Sequence, residues 1–170
     1  MRHVSLPVVL LALASSGCGA DPEPCINGCP DISGLYSVKN ATPVGQCPFS
    51  PYVLAPTVQL RQVDDGRRAV FHVIDPATRL EVPLTGDVYA PGPKDGPEVL
   101  GSFRSDSVVV RSTPSPDERT RTLNLNVSGS VSLHEGRRVL TATLSTTDIT
   151  NESVPDRGCG VTLSITGEGD

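Results

Sequence analysis

The sequence predicts an all-β domain, an antiparallel meander of about nine strands. Three observations predict it. Apolar and polar residues take turns along most of the chain, as they do on a pleated ribbon with one dry face and one wet face. The clearest case is 122–133, where Leu123, Leu125, Val127, Gly129, Val131 and Leu133 hold the odd positions and Thr122, Asn124, Asn126, Ser128, Ser130 and Ser132 the even ones. Turn signals recur between the alternating runs, with Asp65-Gly66 and Glu135-Gly136 placed as tight hairpins and Pro76 second in a four-residue turn. No window of comparable length carries the 3.6-residue period of a helix.

Taken in order, Ile32-Ser33-Gly34-Leu35-Tyr36-Ser37-Val38 is rich in strand formers and predicts the first strand. Residues 39–56 contain Pro43, Pro48, Pro51 and Pro56, which exclude a helix and interrupt a ladder, so a long loop is expected, stapled by Cys47. Val58 and Leu60 alternate with Gln59 and Arg61 before the first hairpin, and Ala69–Ile74 returns. Leu80, Val82, Leu84, Gly86, Val88 and Ala90 fall on one face of a long strand, with Gly86 as a place to bulge. Val99, Gly101 and Phe103 share the next face, and Val108–Val110 follows as a short strand, with Asp106 expected as the turn between them. After 122–133 the chain reverses at His134–Arg137, Leu140, Ala142 and Leu144 alternate again, and Val161, Leu163 and Ile165 form the last strand. Successive hairpins and mid-strand glycines at Gly86 and Gly129 favour a barrel-like closure of eight or nine strands; a two-sheet sandwich is the alternative.

The first residues carry an address. Arg2 and His3 precede an apolar run, Leu6–Ala14, about half as long as a membrane span requires, so residues 1–17 read as a secretory signal. The small residues Ser15-Ser16-Gly17 ending on Cys18 resemble the lipobox of bacterial lipoproteins. That resemblance implies lipidation of Cys18 by palmitate-type acyl chains, a partner membrane reached through that lipid, and a place in the cell envelope, with Gly19 favouring the outer membrane. Residues 18–30 are expected to be a lipidated flexible tether and 31–170 a single β domain. Cys25, Cys29, Cys47 and Cys159 remain, an even number that in an oxidising compartment predicts two disulfides. Four cysteines allow three pairings; Cys47 with Cys159 and Cys25 with Cys29 is expected, because the first pair borders the two longest irregular stretches. Zinc is the competing reading of the Cys25-x3-Cys29 spacing, but Cys47 and Cys159 each lack a second close ligand.

Charge and composition exclude some partners. The chain has 170 residues and a net charge of −5; losing Arg2 with the signal leaves 13 basic against 19 acidic side chains, spread without runs. Nothing in that balance points to nucleic acid, and a monomer is expected. Chemistry is sparse. Ser-x-x-Lys, His-Glu-x-x-His and phosphate-loop patterns do not occur, and His72 and His134 sit on a strand and a hairpin turn as packed or solvated residues, so neither enzyme activity nor a cofactor or metal is expected. Asp148, Asn151, Glu152 and Asp156 group oxygen ligands in one loop that suits calcium, against the plainer reading of a solvated acidic loop. Trp is absent, and Phe49 and Tyr52 in the Pro-rich loop are expected to cover the end of a barrel.

Two further resemblances shape the functional expectation. Gly34-Leu35-Tyr36 resembles the opening of the lipocalin barrels, with Tyr36 where Trp is usual, which implies a carrier of a small apolar ligand. The signal, Asp31-Ile32-Ser33-Gly34-Leu35-Tyr36 and Cys159-Gly160-Val161-Thr162-Leu163 together resemble the small lipoproteins of unknown role in high-GC bacteria such as myxobacteria. The expectation is a non-enzymatic, lipid-anchored envelope protein serving as a binding or structural module; the alternative is the carrier. A cavity of roughly 300 Å³ or more, lined by Leu123, Leu125 and Val127, distinguishes the two.

Overall fold

The computed structural model describes residues 22–45, 47, 52–112, 120–150 and 159–169. The signal residues, Cys18, Phe49 and the Asn151, Glu152 and Asp156 positions of the acidic loop lie outside the described residues. The strands are β1 (Gly34–Val44), β2 (Thr57–Val63), β3 (Arg68–Ile74), β4 (Glu81–Tyr89), β5 (Val99–Ser105), β6 (Val108–Ser112), β7 (Arg121–His134), β8 (Arg137–Asp148) and β9 (Gly160–Gly169). They form one antiparallel sheet in the order β5-β4-β3-β2-β1-β9-β8-β7-β6, and the added pairing of β5 with β7 closes eight of them into a barrel, β6 being the extra strand. The barrel expectation stands, and the sandwich alternative falls with that closure.

Alternation sorts the side chains as the closure requires. Leu123, Leu125, Val127 and Val131 of β7, Leu140, Ala142 and Leu144 of β8, and Val161, Leu163 and Ile165 of β9 are buried, while their even or odd neighbours face outward. Phe71 and Phe103 stack across the interior with ring centroids 6.1 Å apart. Gly129 is needed there: a Cβ on it would lie 2.9 Å from the Phe103 ring and 2.7 Å from the Thr141 carbonyl oxygen. A Cβ on Gly86 would overlap the Arg104 carbonyl, so both mid-strand glycines mark close approaches of neighbouring strands rather than turns.

Four details differ from expectation, each for a physical reason. Asp106 is not a turn. β5 and β6 both run antiparallel to β7, Arg104 opposite Ser128 and Val108 opposite Leu125, so the chain continues in one direction with one extra residue, a bulge. The Ser105 hydroxyl accepts the Val127 N–H at 2.8 Å there, satisfying a backbone donor that the offset leaves without a carbonyl. The first strand runs on through Pro43 to Val44, paired with β9; proline is tolerated because β1 pairs with β2 only over Gly34–Ser37 and leaves its other edge open beyond. In β4 the inward face holds Leu84, Gly86 and Val88 with Val82 half-buried, whereas Leu80, 66% exposed, and Ala90 lie outside the strand. Finally, the segment expected as a tether is docked from Cys25 onward: the Cys25 N–H donates to the Val88 carbonyl at 2.7 Å, and the Gln62 amide donates to the Pro30 carbonyl at 2.9 Å.

That docked segment closes one end of the barrel. Ile32 and Tyr36 are fully buried, and the Tyr36 hydroxyl donates to the Ile32 carbonyl at 3.0 Å. The Gln62 side-chain oxygen accepts the N–H groups of Ile32 and Ser33 at 2.8 and 3.1 Å, and Arg138 donates to the Ser33 carbonyl at 2.7 Å and pairs with Asp31 at 3.1 Å. The Ser33 hydroxyl and, against partial burial, Arg138 hold the Asp31 carboxyl below its ordinary range. Beyond the opposite end, Cys47 and Cys159 sit with Cα atoms 5.6 Å apart, just past the β1–β9 ladder that closes the sheet.

The bulge supplies a direct test. Ser105→Ala leaves the Val127 N–H buried and unpaired, and urea titration should show a loss of about 1–3 kcal/mol. Ser102→Ala, on the outer face of the same strand, should cost under about 0.5 kcal/mol. Equal costs would mean that the hydroxyl does not stand in for the ladder.

Candidate functional site

A barrel of this kind can bind inside or outside, and the interior decides against itself. Leu125 and Val127 are 0% exposed and Leu123 2%, which leaves no space large enough for water beside them. The side chains expected to line a carrier cavity instead fill a solid core, so a cavity lined by them is ruled out. Tyr36, the aromatic of the lipocalin-like opening, is likewise consumed in closing the barrel end.

The wall splits where β1 and β2 part, and there the inner face of the sheet, with Pro43 opposite Leu163 and Ala41 opposite Ile165, opens beside the chain at 52–56. The last link between the two strands is the Val38 N–H donating to the Pro56 carbonyl at 2.8 Å; beyond it β1 follows β9, while residues 53–56 turn away. Val53 crosses to Ile74 through two hydrogen bonds of 3.1 and 2.8 Å. The split leaves a groove of about 390 Å³ whose lining includes Val38, Ala41, Pro43, Tyr52, Leu54 and Leu163, with no charged side chain in it among the described residues. Prolines and β-branched residues build it: Pro43 and Pro56 lack donors and so leave the two edges unable to rejoin. Val53, 37% exposed, also lines it.

Tyr52 forms the floor of this region. It is 1% exposed, as expected for a residue covering the barrel, and its hydroxyl is buried without a hydrogen-bond partner among the described residues. Burial first, and then the negative Asp75 carboxylate, push its pKa up to about 12. Asp75 is itself buried and accepts the Ala77 N–H at 2.8 Å, which fixes the β3–β4 turn.

The remaining sequence candidates are dispersed. Cys25 and Cys29 have Cα atoms 5.5 Å apart and are paired, as are Cys47 and Cys159, so all four thiols are withdrawn from any zinc site. Asp148 is bonded to Arg121 at 2.8 Å and accepts the Thr150 N–H at 2.9 Å; burial raises its pKa, but the bonds from Thr150 and Arg121 outweigh burial and hold it low. Among the described residues no three His, Cys, Asp or Glu side chains gather as metal ligands. His72 lies half-buried on the outer face of β3 and His134 is exposed at the end of β7; neither side chain is engaged by a carboxylate among the described residues. The groove, Gln62 and Arg138 were not singled out from sequence. Pro43 and Pro56 marked the groove's edge, whereas Gln62 and Arg138 act on backbone about 30 and 105 residues away and carry no local signal.

Tyr52 gives the site its test. Because its hydroxyl has no partner, Tyr52→Phe should leave stability at neutral pH unchanged or raise it by up to about 1 kcal/mol. With a folded pKa above the ordinary value near 10, the wild type keeps its full stability below about pH 10 and loses it as pH rises toward 12, and the variant should be less sensitive over that window. A destabilised variant with unchanged alkaline behaviour would assign the hydroxyl a partner. No family model, curated protein or solved structure matches this chain.

Proposed function

We propose that this protein is an exported, lipid-anchored module of the bacterial cell envelope, which works by binding through its outer surface and not by catalysis. The observation that carries the export reading is that all four cysteines after position 18 meet in two pairs at disulfide distance, which leaves Cys18 for the lipid. The solid core supports binding on the outside. Docking of the chain at Cys25 leaves seven residues from Cys18, a reach of at most roughly 25 Å, so the barrel end closed by Ile32 and Tyr36 would face the membrane at short range.

A second reading, a carrier of a small apolar ligand, keeps the lipocalin resemblance but moves the ligand from the interior to the groove beside Leu54, whose volume and uncharged lining favour it. One preparation tests both. Cells expressing the whole chain should incorporate labelled palmitate into it and hold it in the outer-membrane fraction; Cys18→Ser should abolish the label and release the protein. Label retained in Cys18→Ser would refute the anchor. Native mass spectrometry of the soluble variant should show protein alone under the first reading and a bound lipid under the second.

A further inference from the structure

The longest uninterrupted wall of the barrel, β7–β8–β9–β1, presents an ordered chemistry of its own. Register brings Ser128, Thr143, Ser164 and Thr42 into one row across the four strands. The row on one side is Ser130, Thr141, Thr166 and Asn40; on the other it is Asn126, Ser145, Thr162 and the exposed Val44. All of these point outward, since Val127, Ala142, Leu144, Leu163 and Ile165 between them are buried. None carries a charge. The opposite wall, β2–β3–β4, places Arg61, Arg68, Glu81 and Asp87 on its outer face, the mixture ordinary for a solvated surface.

These side chains are also idle. Apart from the Thr42 hydroxyl, which donates to Asn40 at 2.8 Å, none of them makes a side-chain hydrogen bond among the described residues. Each hydroxyl offers one donor and two acceptor positions, held on a grid of roughly 4.8 Å between strands and roughly 6.7 Å along them. The grid is rigid, because β7–β8 and β8–β9 are the two most extended ladders in the sheet.

What fits it is constrained by what is missing. An anionic polymer meets no cation within the rows, and an apolar partner meets only Val44, at the β1 end of one outer row. A partner with uncharged groups that both donate and accept, repeated at about the spacing of the strands, is matched at every row. A chain of sugar rings lying across the strands has that property, its rings recurring about once per strand. With no aromatic ring to stack on, each contact is weak, and affinity must come from several rings bound at once.

We propose that this wall docks an extended, uncharged polysaccharide. This rests on the reading of the protein as a binding module and names its partner class. The test uses the detergent-extracted full chain, its Cys18→Ser form, and the triple variant Ser128→Ala/Thr143→Val/Ser164→Ala, which removes hydroxyls from the central row without touching the core. Depletion onto insoluble cellulose and chitin, with heparin-agarose as the anionic control, gives the affinity; thermal melting checks that the variant is folded. The wild type should bind at least one neutral glycan and pass through heparin, the triple variant should bind about tenfold more weakly with an unchanged melting temperature, and Cys18→Ser should bind like the parent. No binding to either neutral glycan, equal binding by the triple variant, or equal retention on heparin would each overturn the proposal. So would a wild-type self-association, seen by light scattering, that the triple variant loses, since the wall would then serve a second copy of the chain. A Cys18→Ser protein that binds glycan but stays in the membrane would overturn the anchor alone.

Discussion

A sheet that closes on itself has one inside, and every inward side chain has to fit in it. That constraint governs most of what is described above. With backbone pairing running around the ring and alternation pointing every second residue inward, the interior volume is fixed by strand number and slant. Here it is taken up by Leu, Val, Ile and two stacked phenylalanines, and the strands approach so closely at Gly86 and Gly129 that no side chain is admitted. A filled interior leaves no room for cargo. The surfaces left accessible are the groove beside β1 and the uncharged rows of β7, β8, β9 and β1.

The closure is reinforced where a barrel is weakest. β1 and β9, the first and last strands, meet along a seam that no hairpin holds, and the Cys47–Cys159 pair lies just beyond it, joining positions 112 apart in sequence. In the chain-entropy picture a link of that span contributes roughly 4–5 kcal/mol by limiting the unfolded chain. At the other end Gln62 and Arg138 hold residues 30–33 over the opening, so the segment that leads to Cys18 is part of the barrel's closure.

Much of this was legible in the sequence, because period-two alternation and tight turns are local. The wet and dry faces of 122–133 and the returns at Gly66 and Gly136 stand in the structure as read. What escaped was non-local or depended on a neighbour being absent. Asp106 looked like a turn because a polar residue between two apolar runs is ambiguous; only the register against β7 distinguishes a bulge from a reversal. Pro43 looked like a strand breaker, and would be one in mid-sheet, but the departure of β2 leaves its nitrogen on an open edge. The polar content of 19–30 suggested a loose segment, yet the Pro30 carbonyl found a partner in Gln62, from β2, and the Cys25 N–H one in Val88. The cavity expectation erred in a similar way: alternation tells which residues face inward, and only the closed geometry tells whether they touch.

The central claim is that one antiparallel sheet closes through β5–β7 and β1–β9 around a solid core, and NMR on isotope-labelled protein tests it most directly. Cross-strand contacts between the backbones of Phe103 and Gly129 and of Ser37 and Glu168, together with slow amide exchange along β7, β8 and β9, are the result this account predicts. Absence of the Phe103–Gly129 contact, with rapid exchange in β5, would mean an open sheet and would contradict it.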